Sequence, residues 1–150
     1  MIWGCLGALN EARIKRFIAY SSINQMGFLL MGVACGALES LRASLVYLLL
    51  YVIMNLGFFL LFLTTREQKT KRALTYLTDF NDYAQMNYFH SVTLVVILFS
   101  MAGIPPLGGF FGKYYLFVHT FETGQLALLF IGMFTSVIAA YYYLRIIKVM

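Results

Sequence analysis

Of the eleven Lys and Arg residues in the chain, Lys113 alone falls inside an apolar stretch, following Gly108-Gly109-Phe110-Phe111-Gly112 and preceding Tyr114-Tyr115. An ammonium group taken to the centre of a hydrocarbon layer costs roughly 2.5–3.5 kcal/mol even on the mild insertion scale, and such groups face a bundle interior or water. A movable neighbouring charge can then toggle its protonation. Proton relay is therefore preferred to a structural lysine whose stem snorkels towards a surface. His119 follows on the same segment; its imidazole can pass a proton or bond headgroups at an interface. Glu122 stands at the next turn as a solvated end residue or an exit group. Upstream of the lysine, Gly103-Ile104-Pro105-Pro106-Leu107-Gly108-Gly109 interrupts the apolar run. Proline removes a backbone donor and clashes with the preceding turn, so the helix is expected to break there and free its terminal amides and carbonyls to hold water or ions. A simple kink is the plainer alternative, and Gly108 and Gly112 also suit close helix packing.

Two further clusters carry polar atoms. Tyr47, Tyr51 and Asn55 recur at helical spacing and share one face, which either lines a file of water or packs and anchors. Ser21, Ser22, Asn24 and Gln25 gather near the start of the preceding apolar segment, and interhelical hydrogen bonding is preferred there to lining an aqueous path. Cys5 and Cys35 lack a CxxC spacing or a histidine cluster, so both read as packing residues and no metal site is expected. The run Arg13-Ile14-Lys15-Arg16 is a stop signal and headgroup contact, and His90 is a helix-start residue without a metal partner.

The elements that position these residues follow from composition. Hydrophobic residues make up 61% of the chain, aromatic ones 17% and charged ones 11%. Soluble chains carry about a quarter charged residues, whereas crossing roughly 30 Å of hydrocarbon takes about 20 apolar residues. The expected fold is all-α, a polytopic transmembrane helix bundle forming one membrane domain. Residues 1–9 are apolar but too short to span, and are expected to be a partial helix, either a re-entrant piece or the last turns of a longer helix. Spans are expected at about 17–37, 45–63, 88–121 and 126–144, with 88–121 broken at Gly103–Gly109 and an extramembrane loop at 64–87. Threading them alternately places Arg13, Lys15, Arg16, Arg66, Lys69, Lys71, Arg72, Arg145 and Lys148 on one side and only Arg42 on the other. That asymmetry follows the positive-inside rule, so the net charge of +5 sets topology and points to lipids as partners. No nucleic-acid partner is expected. Met1-Ile2-Trp3 opens on apolar residues without the basic start of a secretory signal.

Three stretches together resemble the antiporter-like subunits of respiratory complex I, a family that also includes subunits of multisubunit sodium/proton antiporters. The first is Ile14-Lys15-Arg16-Phe17-Ile18-Ala19-Tyr20-Ser21-Ser22-Ile23 followed by Met26-Gly27-Phe28. The second runs from Ala102 through the break to Lys113-Tyr114-Tyr115, and the third is Tyr141-Tyr142-Tyr143-Leu144-Arg145. A lysine rather than a glutamate in the second stretch, with the triple tyrosine downstream, narrows the resemblance to one branch of the family. The resemblance implies a proton-relay role for Lys113, because the family's broken helix carries that residue.

Membership of a proton-translocating NADH:ubiquinone reductase is also implied, with no redox chemistry and no cofactor in this chain. A sodium/proton antiporter subunit, or a structural subunit that no longer conducts, is the alternative. In other branches a lysine and histidines stand where this sequence has Asn55, Tyr51 and Tyr47. The family's other charged relay residues fall upstream of Met1, and its last helix falls after Met150. The resemblance thus implies a C-terminal part of a subunit, with a separate chain supplying the front half. Its partners would be the other membrane-arm subunits, and its location the mitochondrial inner membrane rather than a bacterial plasma membrane.

Overall fold

The computed structural model describes residues 1–64 and 88–150, so the loop expected at 64–87 lies outside the described residues apart from Thr64. Among the described residues six helices follow one another: α1 (Ile2–Asn10), α2 (Ile14–Ala34), α3 (Leu38–Thr64), α4 (Tyr88–Ala102), α5 (Gly108–Glu122) and α6 (Leu126–Val149). Among the described residues there is no strand. The protein is an all-α bundle, as its composition requires.

Among the described residues α2, α3 and α6 are long and apolar enough to cross a membrane. At about 1.5 Å per residue, α4 and α5, with 15 residues each, measure about 22 Å apiece and fall short of a crossing. Only in series, across the break, do they make one. Helix α2 begins at Ile14, inside the basic run. Ile14, Phe17 and Ile18 are buried while Lys15 and Arg16 stay exposed, so the first turn is already amphipathic and the basic residues do not delay it.

Helix α2 is central, packing against α1, α3, α5 and α6, while α5 packs against α2, α3, α4 and α6. Among the described residues most of the buried apolar side chains fall in two clusters. One gathers Phe17 and Ile18 of α2, Tyr51, Phe58 and Phe62 of α3, Leu94 and Leu98 of α4, and Tyr142 and Tyr143 of α6. The other gathers Phe28 and Met31 of α2, Ala43 and Tyr47 of α3, and Leu116 of α5. Along α2 the residues between these clusters are the buried Ser21, Asn24 and Gln25, and the break between α4 and α5 divides the clusters likewise. A polar layer therefore lies between two apolar ones, at the level where the backbone is interrupted. Helix α3 buries only a narrow stripe, Ser40, Ala43, Ser44, Tyr47, Tyr51, Phe58 and Phe62. Its other faces expose Leu45, Leu49, Ile53, Leu56 and Leu60, an aliphatic surface suited to lipid or neighbouring helices.

Candidate functional site at the broken helix

The break is built from backbone chemistry. Helix α4 ends in a reversal at Gly103, whose φ of +85° is a left-handed conformation that glycine adopts without steric cost. The amides of Gly103 and Ile104 turn back onto the carbonyls of Ser100 (3.1 Å) and Phe99 (3.2 Å), the Schellman pattern of a helix terminus. That pattern leaves the carbonyls of Met101 and Ala102 unused. The Pro105–Pro106 bond is cis. Neither proline has an N–H, and the chain re-enters helix at Gly108 after the Leu107 amide bonds the Ile104 carbonyl at 3.1 Å.

Lys113 is drawn into this gap. Its side chain is buried, with 4% exposure, and Nζ donates to the Met101 and Ala102 carbonyls at 3.2 Å each. The ammonium thus takes the two acceptors left over by the terminus, where the negative end of the α4 dipole also favours a cation. Nζ lies 5.2 Å from the centre of the Phe28 ring, close enough for a cation–π contact. Among the described residues the ion pairs are Arg42–Glu39 and His119–Glu122, so no carboxylate there neutralises Lys113. Carbonyl dipoles and a ring face stabilise its charge instead.

The two half-helices satisfy each other. Ser100 Oγ in α4 accepts from the Gly109 amide at 3.2 Å, one of the amides that a helix start leaves without an internal partner, while Lys113 in α5 satisfies the end of α4. Gly109 makes this possible, because a Cβ there would run into the Ser100 carbonyl. At Gly112 a Cβ would come within 2.9 Å of Tyr47 Cδ2, so this glycine lets α5 press on α3. Gly108 meets only an ordinary contact, 3.6 Å from Leu50, so the tight packing falls to its neighbours.

A hydrogen-bonded layer surrounds the lysine. Gln25 Nε2 donates to the Met101 carbonyl at 3.3 Å and to the Tyr143 hydroxyl at 3.4 Å, and the Tyr47 hydroxyl donates to Gln25 Oε1. Ser21 and Tyr143 share a hydroxyl hydrogen bond, and Asn24 Nδ2 donates to the Tyr142 hydroxyl at 3.3 Å. Interhelical bonding, the preferred reading of the Ser21–Gln25 cluster, is what Ser21, Asn24 and Gln25 do. The stripe on α3 divides: Tyr47 joins the layer, Tyr51 packs in the larger apolar cluster, and Asn55 Oδ1 is buried without a partner among the described residues. Asn24 Oδ1 is likewise unpartnered. His119 and Glu122 pair with each other at 2.7 Å on the last turns of α5, about 9 Å of helix rise beyond Lys113. His119 lies off the buried face formed by Gly109, Gly112, Lys113, Leu116 and Thr120. The sequence singled out neither Ser100 nor the Met101 and Ala102 carbonyls, and it marked Phe28 only within the first motif. It marked Tyr142 and Tyr143 only as part of a motif, and their pairing with α2 had no local signal.

Long apolar helices around a span broken at a buried lysine define a polytopic membrane protein of the antiporter-like fold. The chain belongs to the family described as NADH:quinone oxidoreductase/Mrp antiporter, TM, which matches residues 1–139. Its relatives include NADH-quinone oxidoreductase subunit N of Rhodospirillum rubrum, 43% identical over 150 residues, 100% of this chain and 30% of that protein. NADH-ubiquinone oxidoreductase chain 2 of Marchantia polymorpha is 40% identical over 100% of this chain and 30% of its own length. The chain thus spans about 30% of the length of these relatives, and it is of the subunit N/chain 2 type. The Mrp complex from Dietzia sp. DQ12-45-1b matches with a TM-score of 0.85 at 28% identity, over 95% of this chain and 26% of the matched one. Respiratory complex I from Thermus thermophilus with bound Aureothin matches with a TM-score of 0.82 at 29% identity, over 98% and 33%.

Proposed function

We propose that this chain serves in the membrane arm of a proton-translocating NADH:quinone oxidoreductase, where Lys113 takes up and releases a proton at the break between α4 and α5. The observation that carries this reading is the buried ammonium held by the Met101 and Ala102 carbonyls at 3.2 Å. Such a group carries charge at mid-bundle without a fixed counter-ion among the described residues, so a moving charge elsewhere in the complex can shift its occupancy. The oxygen of Asn24, without a partner among the described residues, supports hydration of the same layer, since buried polar atoms of this kind are commonly met by water. Reduction of quinone and oxidation of NADH belong to other chains in this reading. The charge asymmetry of the loops directs Arg13, Lys15 and Arg145 to the matrix or cytoplasmic face.

The test compares Lys113→Met with Lys113→Arg in assembled complex, reading protons translocated per electron. Methionine keeps length and packing but carries no proton, and a guanidinium, with its pKa above about 12, does not readily release one. Both variants are expected to assemble and to pump poorly. Normal pumping by the arginine variant would sink the relay role, and normal pumping by the methionine variant would leave a structural subunit. The likeness to the Dietzia Mrp complex favours one second reading, a subunit of a multisubunit cation/proton antiporter. Mass spectrometry of the detergent-purified assembly separates the two: iron-sulfur and flavin subunits accompany the chain in the first case and are absent in the second.

A further inference from the structure

Gln25 contacts three other helices through one side chain. It is 2% exposed, and both of its amide N–H donors are engaged: Nε2 donates to Met101 O of α4 and Tyr143 Oη of α6, while Oε1 accepts from Tyr47 of α3. The orientation of the amide is fixed by chemistry, because a main-chain carbonyl only accepts and must face the NH2 end. The Met101 carbonyl is therefore doubly engaged. One donor is Lys113 Nζ at 3.2 Å and the other is Gln25 Nε2 at 3.3 Å, which together account for both lone pairs of that oxygen.

We propose that Gln25 is a positioning residue for Lys113, holding the Met101 carbonyl so that the ammonium shares this acceptor instead of monopolising it. The proposal rests on the relay reading of Lys113. Two donors on one oxygen draw on the same electron density, and the charge-assisted bond is the stronger of the two. Without the amide, the carbonyl turns its whole capacity to the lysine and holds it more firmly. The device reaches beyond α2 and α4, because Tyr47 fixes Gln25 and is itself pressed by α5 at Gly112, the residue before Lys113. A shift of α5 against α3 thus moves the tyrosine, the glutamine and the carbonyl as one set.

The experiment uses membranes holding the whole assembled complex and reads protons translocated per electron at matched assembly, a ratio that a mere loss of stability does not change. Gln25→Met, which keeps length but has neither donor nor acceptor, is expected to lower the ratio several-fold. Gln25→Glu replaces the donor with a carboxylate that can pair with the ammonium, and it is expected to lower the ratio further. In the Lys113→Met background Gln25→Met should add nothing, since the two act through one carbonyl. An unchanged ratio for Gln25→Met beside a defective Lys113→Met overturns the Gln25 assignment and leaves the relay standing. An additive defect in the double variant overturns it as well. Normal pumping by Lys113→Met removes the relay reading and this proposal together. Where Gln25→Met fails to assemble, Tyr47→Phe frees the amide carbonyl while keeping the ring; the same non-additivity with Lys113→Met is expected, and additivity overturns the assignment.

Discussion

At the scale of single residues, the polar layer is held by side chains with little redundancy. Tyr143 serves Ser21 and Gln25 at once, so Tyr143→Phe leaves a buried hydroxyl and a buried amide each short of a partner. An unmet buried polar group costs about 1–3 kcal/mol, and a lower melting temperature of the purified complex is the expected result; an unchanged one would show that water or a shifted partner replaces the phenol. Ser100→Ala is expected to act similarly through the Gly109 amide and is read in the same melt. That Lys113 would be buried was legible from its neighbours in the sequence. Its acceptors were not, because main-chain carbonyls are chemically alike at every position and only the fold selects Met101 and Ala102. The partners of Ser21, Asn24 and Gln25 escaped for another reason: Tyr142 and Tyr143 lie more than a hundred residues away along the chain.

At the scale of helices, the broken span was legible because glycine and proline act locally. Its consequence for packing depended on which glycine meets which neighbour, and that is set in three dimensions. Gly103 and Gly36 offer a controlled comparison. Both have positive φ, +85° and +69°, but a Cβ on Gly103 would lie 3.1 Å from Lys113 Cδ whereas one on Gly36 meets nothing within 4 Å. Alanine at either position is strained by roughly 1–2 kcal/mol, so both variants should lose similar stability. Only Gly103→Ala should also reduce protons pumped per electron, since only there does the new methyl displace the lysine; equal pumping in the two would detach the turn from the ammonium. The prolines are expected to matter in the same way. Pro105→Ala with Pro106→Ala restores two amide donors and lets helix invade the gap, so it should impair pumping more than Leu107→Ala, which removes packing alone.

For the whole molecule, the sequence conveyed class and helix order through apolar length and charge placement, which need no partner to be read. It said less about which surface meets the bundle, as on α3, where an aliphatic residue looks the same whether it faces lipid or protein. The one-sided basic residues predict orientation: protease added to sealed vesicles should cut within residues 64–87, which hold Arg66, Lys69, Lys71 and Arg72, only from the face that also carries Arg13. Cleavage from the opposite face would invert the topology. The mutual capping of α4 and α5 has one more implication. Because Lys113 of one half satisfies the end of the other, and Ser100 does the reverse, the separation of the half-helices and the hydrogen bonding of the lysine are tied to each other. Coupling of this kind is reciprocal. On the proposed relay reading, the work needed to draw the half-helices apart and the work needed to strip the proton would share a common part, so strain along the membrane plane would favour proton escape at this joint and proton uptake would oppose it.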